Sequence, residues 1–237
     1  MKKNTLFTAT MLVAIFISAL AGCSGVSRTE SREVSGFKHI SISAFGEVII
    51  IQGEEESLTI EAPSNYLRYI ETEVVGDTLN IDTRRGFIGG PVRRVTYNLT
   101  VKDLNEVTLS GAGTIKIYAL ETDVLEVNLS GAGSIEIDSL IAKDLKVNLS
   151  SAGAIVIAGE VDTQEISHSG VGSYESGDMQ SSTAAVEMSG VGSAVLWVTD
   201  ELDVTITGVG SVSYFGSPSV TQNISGLGSV NSKGEHR

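Results

Sequence analysis

The residues whose types and spacing can do chemistry fall into a few groups. Arg84, Arg85, Arg93 and Arg94 flank a Gly- and Pro-containing stretch around Phe87 and Ile88. Four guanidiniums on one loop make a candidate anion grip, suited to lipid headgroups or a phosphorylated glycan. Trp197 and Phe215 fall near a corner of the repeats and are candidate stacking surfaces for sugar rings. His39, His168 and His236 are far apart, and the chain has one Cys, so no metal site and no cofactor are expected. Between Val147 and Ser232 there is no Lys or Arg but nine acids: Glu160, Asp162, Glu165, Glu175, Asp178, Glu187, Asp200, Glu201 and Asp203. None recurs at a repeating position in the way a catalytic carboxylate pair requires, so they read as a solvated face that repels acidic polymers. No G-x-S-x-G elbow occurs, and the Gly-rich motifs are followed by strand-like segments rather than by the helix a phosphate loop must open. No catalytic residue is assigned, and the chain is not expected to be an enzyme. A formal charge of −13 excludes the basic footprint that nucleic acid binding needs.

The single Cys has a position of its own. Lys2 and Lys3 precede a mostly apolar stretch from Leu6 to Leu20, too short for a stable membrane span. The stretch ends in Leu20-Ala21-Gly22-Cys23. This resembles a bacterial lipobox, in which a signal peptide (residues 1–22) is removed and the Cys23 thiol carries a diacylglycerol. Small residues at 21 and 22 admit the protease. Acyl chains of the palmitate type then supply the membrane affinity, at about 0.8 kcal/mol per buried CH₂. Ser24 to Gly36 is small, polar and unpatterned, and reads as a flexible tether. Ser24 directly after the Cys resembles the outer-membrane sorting choice, so the expected location is the cell envelope, lipid-anchored at the outer membrane.

The elements that position these groups come from an internal repeat. One motif occurs seven times: Ser110-Gly111-Ala112-Gly113, Ser130-Gly131-Ala132-Gly133, Ser150-Ser151-Ala152-Gly153, Ser169-Gly170-Val171-Gly172, Ser189-Gly190-Val191-Gly192, Thr207-Gly208-Val209-Gly210 and Ser225-Gly226-Leu227-Gly228. The spacings are 20, 20, 19, 20, 18 and 18 residues. Period-2 apolar segments flank each motif, as in Val107-Thr108-Leu109 and Ile115-Lys116-Ile117. No helical run separates them, which excludes a doubly wound fold. Short strands at this period with glycine corners predict an all-β parallel β-helix-like solenoid, one repeat per coil, with equivalent residues about 4.8 Å apart. The Ser and Thr of the motif are expected to stack as a hydroxyl ladder. The residue between the glycines grows from Ala to Val to Leu as the coils shorten. It is expected to point inward, so that Val191→Asp would unfold the rod. His168 takes the slot held elsewhere by Leu109, Leu129, Leu149, Met188 and Ile206. It reads as a buried neutral ring.

Phe37 to Glu106 is strand-rich but less regular. Ser43-Ala44-Phe45-Gly46 looks like a degenerate early coil, and Pro63 to Tyr69 like a short helical turn. No linker separates this part from the repeats, so residues 37–232 are read as one domain, irregular over 37–106 and regular over 107–230.

These residues carry a family resemblance. Gly46-Glu-Val-Ile-Ile-Ile-Gln-Gly53, Leu58-Thr-Ile-Glu-Ala62, Ile70-Glu-Thr-Glu-Val74, Thr78-Leu-Asn-Ile81 and the serial Ser-Gly-x-Gly motifs resemble the auto-transporter adhesin head, or GIN-domain, family. The resemblance implies a right-handed β-helix-like fold in a secreted or lipid-anchored envelope protein, and it supplies no catalytic residues. The expected function is a non-enzymatic adhesion or surface-interaction module. The alternatives are a structural or stress-related envelope protein without a specific ligand and, less favoured, a polysaccharide-active β-helix enzyme. The expected partners are the membrane through the lipid anchor, a glycan or envelope protein, and a second copy of the chain through its bare terminal coil.

Overall fold

The computed structural model describes residues 27–84 and 94–236. Cys23, Arg85 and Arg93 lie outside them. The strands in chain order are β1 (Ser27–Arg32), β2 (His39–Ile42), β3 (Phe45–Gln52), β4 (Ser57–Pro63), β5 (Ile70–Val75), β6 (Thr78–Thr83), β7 (Thr96–Val101), β8 (Glu106–Leu109), β9 (Ala112–Ile117), β10 (Leu120–Glu121), β11 (Val124–Leu129), β12 (Ala132–Leu149), β13 (Ala152–His168), β14 (Val171–Met188), β15 (Val191–Ile206), β16 (Val209–Phe215), β17 (Ser219–Ile224) and β18 (Leu227–Ser232). One short helix, α1 (Ser64–Leu67), follows Pro63, which sits at its N-cap with φ −54°.

From β8 onward every pairing is parallel and in repeat register. Gly113 faces Gly133, which faces Gly153, and the series continues through Gly172, Gly192 and Gly210 to Gly228. The result is a β-solenoid of about six turns. The series also runs the other way. Phe45 pairs with Ala112 and Gly46 with Gly113, so Ser43 to Gly46 is the corner of a true coil. The chain leaves that coil for the excursion from Gly53 to Asn105 and then returns to stack the next one on it.

The corners explain the glycines. A Cβ at Gly113 would run into the carbonyl oxygen of Gly46, one at Gly131 into that of Gly111, and one at Gly192 into that of Gly172. Among the corner glycines only Gly46 and Gly133 have a positive φ. The requirement is therefore backbone lying on backbone rather than an unusual turn. Amide-to-carbonyl bonds close the same contact, for example Ala132 N to Gly111 O at 3.0 Å and Val191 N to Gly170 O at 2.9 Å.

Two sequence expectations are corrected here. The residue between the glycines points outward: Val171, Val191, Val209 and Leu227 are 60%, 51%, 48% and 77% exposed. Counting back by twos from the buried Ile117 and Ile115 lands on Gly113 and Gly111, so Ala112 and its equivalents are in the outward phase. The hydroxyl ladder is also displaced. Among the described residues the corner hydroxyls bond to one another only at the first rung, Ser43 to Ser110 at 3.0 Å. The ladder that forms lies two residues upstream. Asn148 Nδ2 donates to Asn128 Oδ1 at 2.7 Å, and Asn128 Nδ2 donates to Thr108 Oγ1 at 3.2 Å.

The N-terminal excursion closes one end of the solenoid. β6 and β7 continue the parallel stack on β2 and β3. The direction then reverses, with β5 antiparallel to β6, β4 antiparallel to β7, and β1 antiparallel to β4. Half of the stretch read as a flexible tether is thus a strand. Ser27–Arg32 has no apolar alternation to mark it, and it is held through the main chain against β4.

Inside, one apolar core runs the length of the stack, from Phe37 to Val212. Two polar features interrupt it. Gln164 holds the slot filled in other coils by Leu125, Leu145, Ala184 and Leu202. It accepts from Tyr174 Oη at 3.0 Å and from Ser176 Oγ at 3.3 Å, and it donates to Ser181 Oγ at 2.7 Å. Ser181 donates in turn to the Trp197 carbonyl at 3.1 Å, and the single hydroxyl hydrogen of Ser176 is shared between Gln164 Oε1 and the Val195 carbonyl at 3.1 Å. This buried network is satisfied, which is the condition for tolerating polar groups in a core. Burial raises the Tyr174 pKa above its usual value.

The second feature is His168, fully buried between Leu149 and Met188 in register, with neither ring nitrogen hydrogen-bonded. Burial holds its pKa below the ordinary 6.5. As the pH falls, the unfolded chain takes up the proton first. The stability that the neutral ring contributes is complete above 6.5 and is lost as the pH drops toward the depressed folded value.

Two outcomes are expected. Gly113→Ala, which forces a Cβ into the coil beneath, costs about 1–3 kcal/mol in urea melts, whereas Val191→Asp changes stability by no more than about 0.5 kcal/mol, as for an ordinary surface substitution. In thermal melts between neutral and mildly acid pH, His168→Leu flattens the decline in melting temperature below pH 6.5; an unchanged pH profile would show that the ring does not titrate on unfolding.

Candidate functional site

The far ends of the strands, away from the glycine corner, leave an open groove of about 1520 Å³. It crosses five levels of the stack. Lys102, Asp103 and Asn105 come from the end of the N-terminal excursion, Gln52 to Glu54 from the first coil, Tyr118 to Val124 from the next, Ile141 to Lys143 from the third, and Glu160 to Asp162 from the fourth. Gln52 ties its floor together. Its Nε2 donates to the carbonyls of Lys102 and Glu121, both at 3.0 Å, and its Oε1 accepts from the Glu121 amide at 2.9 Å.

The walls alternate charge and apolar surface. Lys38 pairs with Asp103 at 3.5 Å and Lys143 with Asp123 at 2.6 Å. The Asp123 contact raises the Lys143 pKa, and Lys143 lowers that of Asp123. Both groups therefore stay ionised through the neutral range. Between the ion pairs stand Tyr118, Ile51, Val124 and Ile141, which are 48%, 47%, 45% and 56% exposed. Lys116 Nζ lies 5.3 Å from the Tyr118 ring centroid while bridging Glu136 at 3.3 Å and Asp138 at 3.4 Å. Those two acids, Glu136 first, raise the Lys116 pKa. Fixed donors and acceptors beside one exposed aromatic ring suit a ligand with hydroxyls and an apolar face. The one carboxyl whose pKa is raised among the described residues is Glu175, through burial partly offset by Lys233, and it is not a groove residue.

The residues singled out from sequence lie elsewhere. Arg84 is held by Glu71, with Nε to Oε1 at 2.6 Å, and Arg94 by Glu47 at 3.2 Å. They sit where the chain leaves β6 and enters β7. Trp197 and Phe215 are neighbours in register on the outside of adjacent coils. His236, near the end of the chain, stacks on the Trp197 ring at 4.0 Å and 5° and meets Phe215 edge-on at 5.3 Å, while its Nε2 lies 3.3 Å from Asp178 Oδ1. One face of the tryptophan is thus occupied by the chain itself. Sequence reasoning missed the groove altogether. Its residues are tens of positions apart, and only the aromatic Tyr118 just past a strand end gives a local signal.

Among the described residues no group of three or more His, Cys, Asp or Glu is placed to hold a metal ion, and no helix is long and apolar enough to cross a membrane.

Comparison with known proteins agrees with this architecture. A crystal structure of a putative adhesin from Bacteroides fragilis superposes with a TM-score of 0.83 at 25% identity, covering 87% of this chain and 96% of that one. A putative lipid binding protein from Parabacteroides distasonis (24% identity, TM-score 0.67, 87% and 96% coverage) and a putative adhesin from Parabacteroides merdae (20%, 0.66, 87% and 95%) share the fold. No curated protein matches the sequence. Residues 36–218 match the family described as putative auto-transporter adhesin, head GIN domain. With parallel coils in register from Gly46 to Gly228 and a match over most of its length, the chain belongs to the GIN-domain family of auto-transporter adhesin heads.

Proposed function

We propose that this protein is a non-enzymatic adhesion module of the bacterial envelope that holds a surface glycan in the groove around Tyr118 and Gln52. The observation that carries the reading is the groove itself: an open trough over successive coils, walled by ion pairs and exposed apolar side chains, with a single aromatic ring presented to a ligand. A polymer of sugar rings offers hydroxyls to the ion-paired walls and an apolar face to Tyr118. The family and the solved adhesin relative support a surface role without catalysis. Anchoring through a lipid on Cys23, at the outer membrane, is the second half of the proposal. It rests on the Leu20-Ala21-Gly22-Cys23 sequence, and the sequence run holding Arg84, Arg85, Arg93 and Arg94 is proposed as an auxiliary grip for anionic groups.

A glycan array probed with the chain from Ser24 onward tests the first half. Binding is expected, weakened about tenfold by Tyr118→Ala, which corresponds to about 1.4 kcal/mol, and unaffected by replacing the four arginines with Ser when the glycan is neutral. Binding that survives Tyr118→Ala and Gln52→Ala together would remove the groove from the reading. For the anchor, Cys23→Ser is expected to move the protein from the membrane fraction to the soluble fraction and to abolish incorporation of labelled palmitate.

A further inference from the structure

The two ends of the solenoid are finished differently. At the N-terminal end the outermost strands are β1 and β5, both antiparallel to their neighbours. β1 carries Arg28, Glu30 and Arg32, and β5 carries Glu71 and Glu73. Charged side chains are a device that keeps a sheet edge from pairing with another molecule. At the C-terminal end, among the described residues, β17 pairs only with β15 and β18 only with β16. Their outer edges keep free backbone donors and acceptors, with Leu227 77% and Ile224 38% exposed beside them.

No charged residue occurs from Val204 to Ser232, although the whole chain carries −13. The uncharged run coincides with the last coil and the strand ends it rests on. The residues that follow leave this edge open. The Lys233 amide donates to the Tyr214 carbonyl at 2.7 Å, the Gly216 amide to Gly234 at 2.9 Å, and His236 packs back on Trp197.

We propose that a second copy of this chain docks on the β17–β18 edge, giving a two-fold dimer joined end to end through the terminal coils. Three observations select a second copy. The edge is neutral, so two chains of −13 each meet without like charges opposed at the contact. The free ladder groups are self-complementary, and a two-fold axis brings equivalent strands together antiparallel, a pairing that is slightly more stable per residue than the parallel one. Among the described residues the opposite end is edged by the charged strands β1 and β5, so the contact closes as a dimer and does not propagate head to tail into a filament. The inference is independent of the glycan reading, because the groove lies on the coils at the other end of the rod.

Sedimentation velocity of the chain from Ser24 to Arg237, across a micromolar concentration series, tests the proposal. Twice the monomer mass is expected. Replacing the exposed Asn223 and Asn231 together with Lys is expected to weaken dimerisation at least about tenfold, whereas Glu73→Lys on β5 leaves the dimer intact. Hydrogen exchange on the unsubstituted protein gives a readout that does not depend on the variant folding: amides of β17 and β18 are slowed at high concentration relative to low, while those of β1 and β5 are not. A monomer at all concentrations, a mass that grows without limit, or a dimer indifferent to the Lys pair with unchanged exchange in β17 and β18 would each overturn it.

Discussion

The whole architecture depends on how closely one coil approaches the next at the glycine corner. At Gly113, Gly131, Gly172 and Gly192 the backbone lies so near the carbonyl of a neighbouring coil that no Cβ fits. That approach fixes the register of every parallel strand, because a shift of one residue would put a side chain where only hydrogen is tolerated. It also sets the inward phase of the alternation on both flanks, so Leu109, Ile115 and Ile117 and their equivalents reach the core without further instruction. The coils can then differ in length on the far side, where the register shifts between β12 and β13 and between β14 and β15 occur. Irregularity collects away from the tight corner, and so does the groove.

This division accounts for what could be read from the residues alone. The corner is a local and repeated constraint, and seven copies of it placed the parallel solenoid and the early-coil status of Ser43 to Gly46 in plain view. The direction of Val191 was equally available from the period-2 count, but the trend from Ala to Leu suggested space-filling instead. The antiparallel closure was hidden for a different reason. β1 has no apolar face, and its partner β4 lies across a long stretch of chain, so only main-chain pairing identifies it. The groove is assembled from segments with no common motif, and the contact of His236 with Trp197 joins residues that nothing in the repeat relates. Cys23 remains a reading of sequence, outside the described residues.

The polar chemistry is distributed accordingly. Inside, Gln164, Tyr174, Ser176 and Ser181 bond among themselves and to backbone carbonyls, a closed set that gives one middle coil a polar core without exposing it. Outside, Lys38 and Lys143 are matched by Asp103 and Asp123 at short range, and the further carboxylates of Glu54, Glu121, Glu160 and Asp162 leave the groove acidic like the rest of the protein. An acidic, hydrogen-bonding trough repels polyanions and discriminates among uncharged ligands by shape and hydroxyl placement.

The excursion between the first coil and the second has a consequence for how the protein is made. The strands of the first coil, β2 and β3, find their parallel partners β8 and β9 some 67 residues later, as the Ser43–Ser110 bond illustrates. Every later coil waits for only about one repeat of chain. During synthesis or passage through a translocation channel, the first coil therefore cannot gain its next parallel neighbour until about 67 further residues have followed. Once it has, each further coil adds onto a finished template.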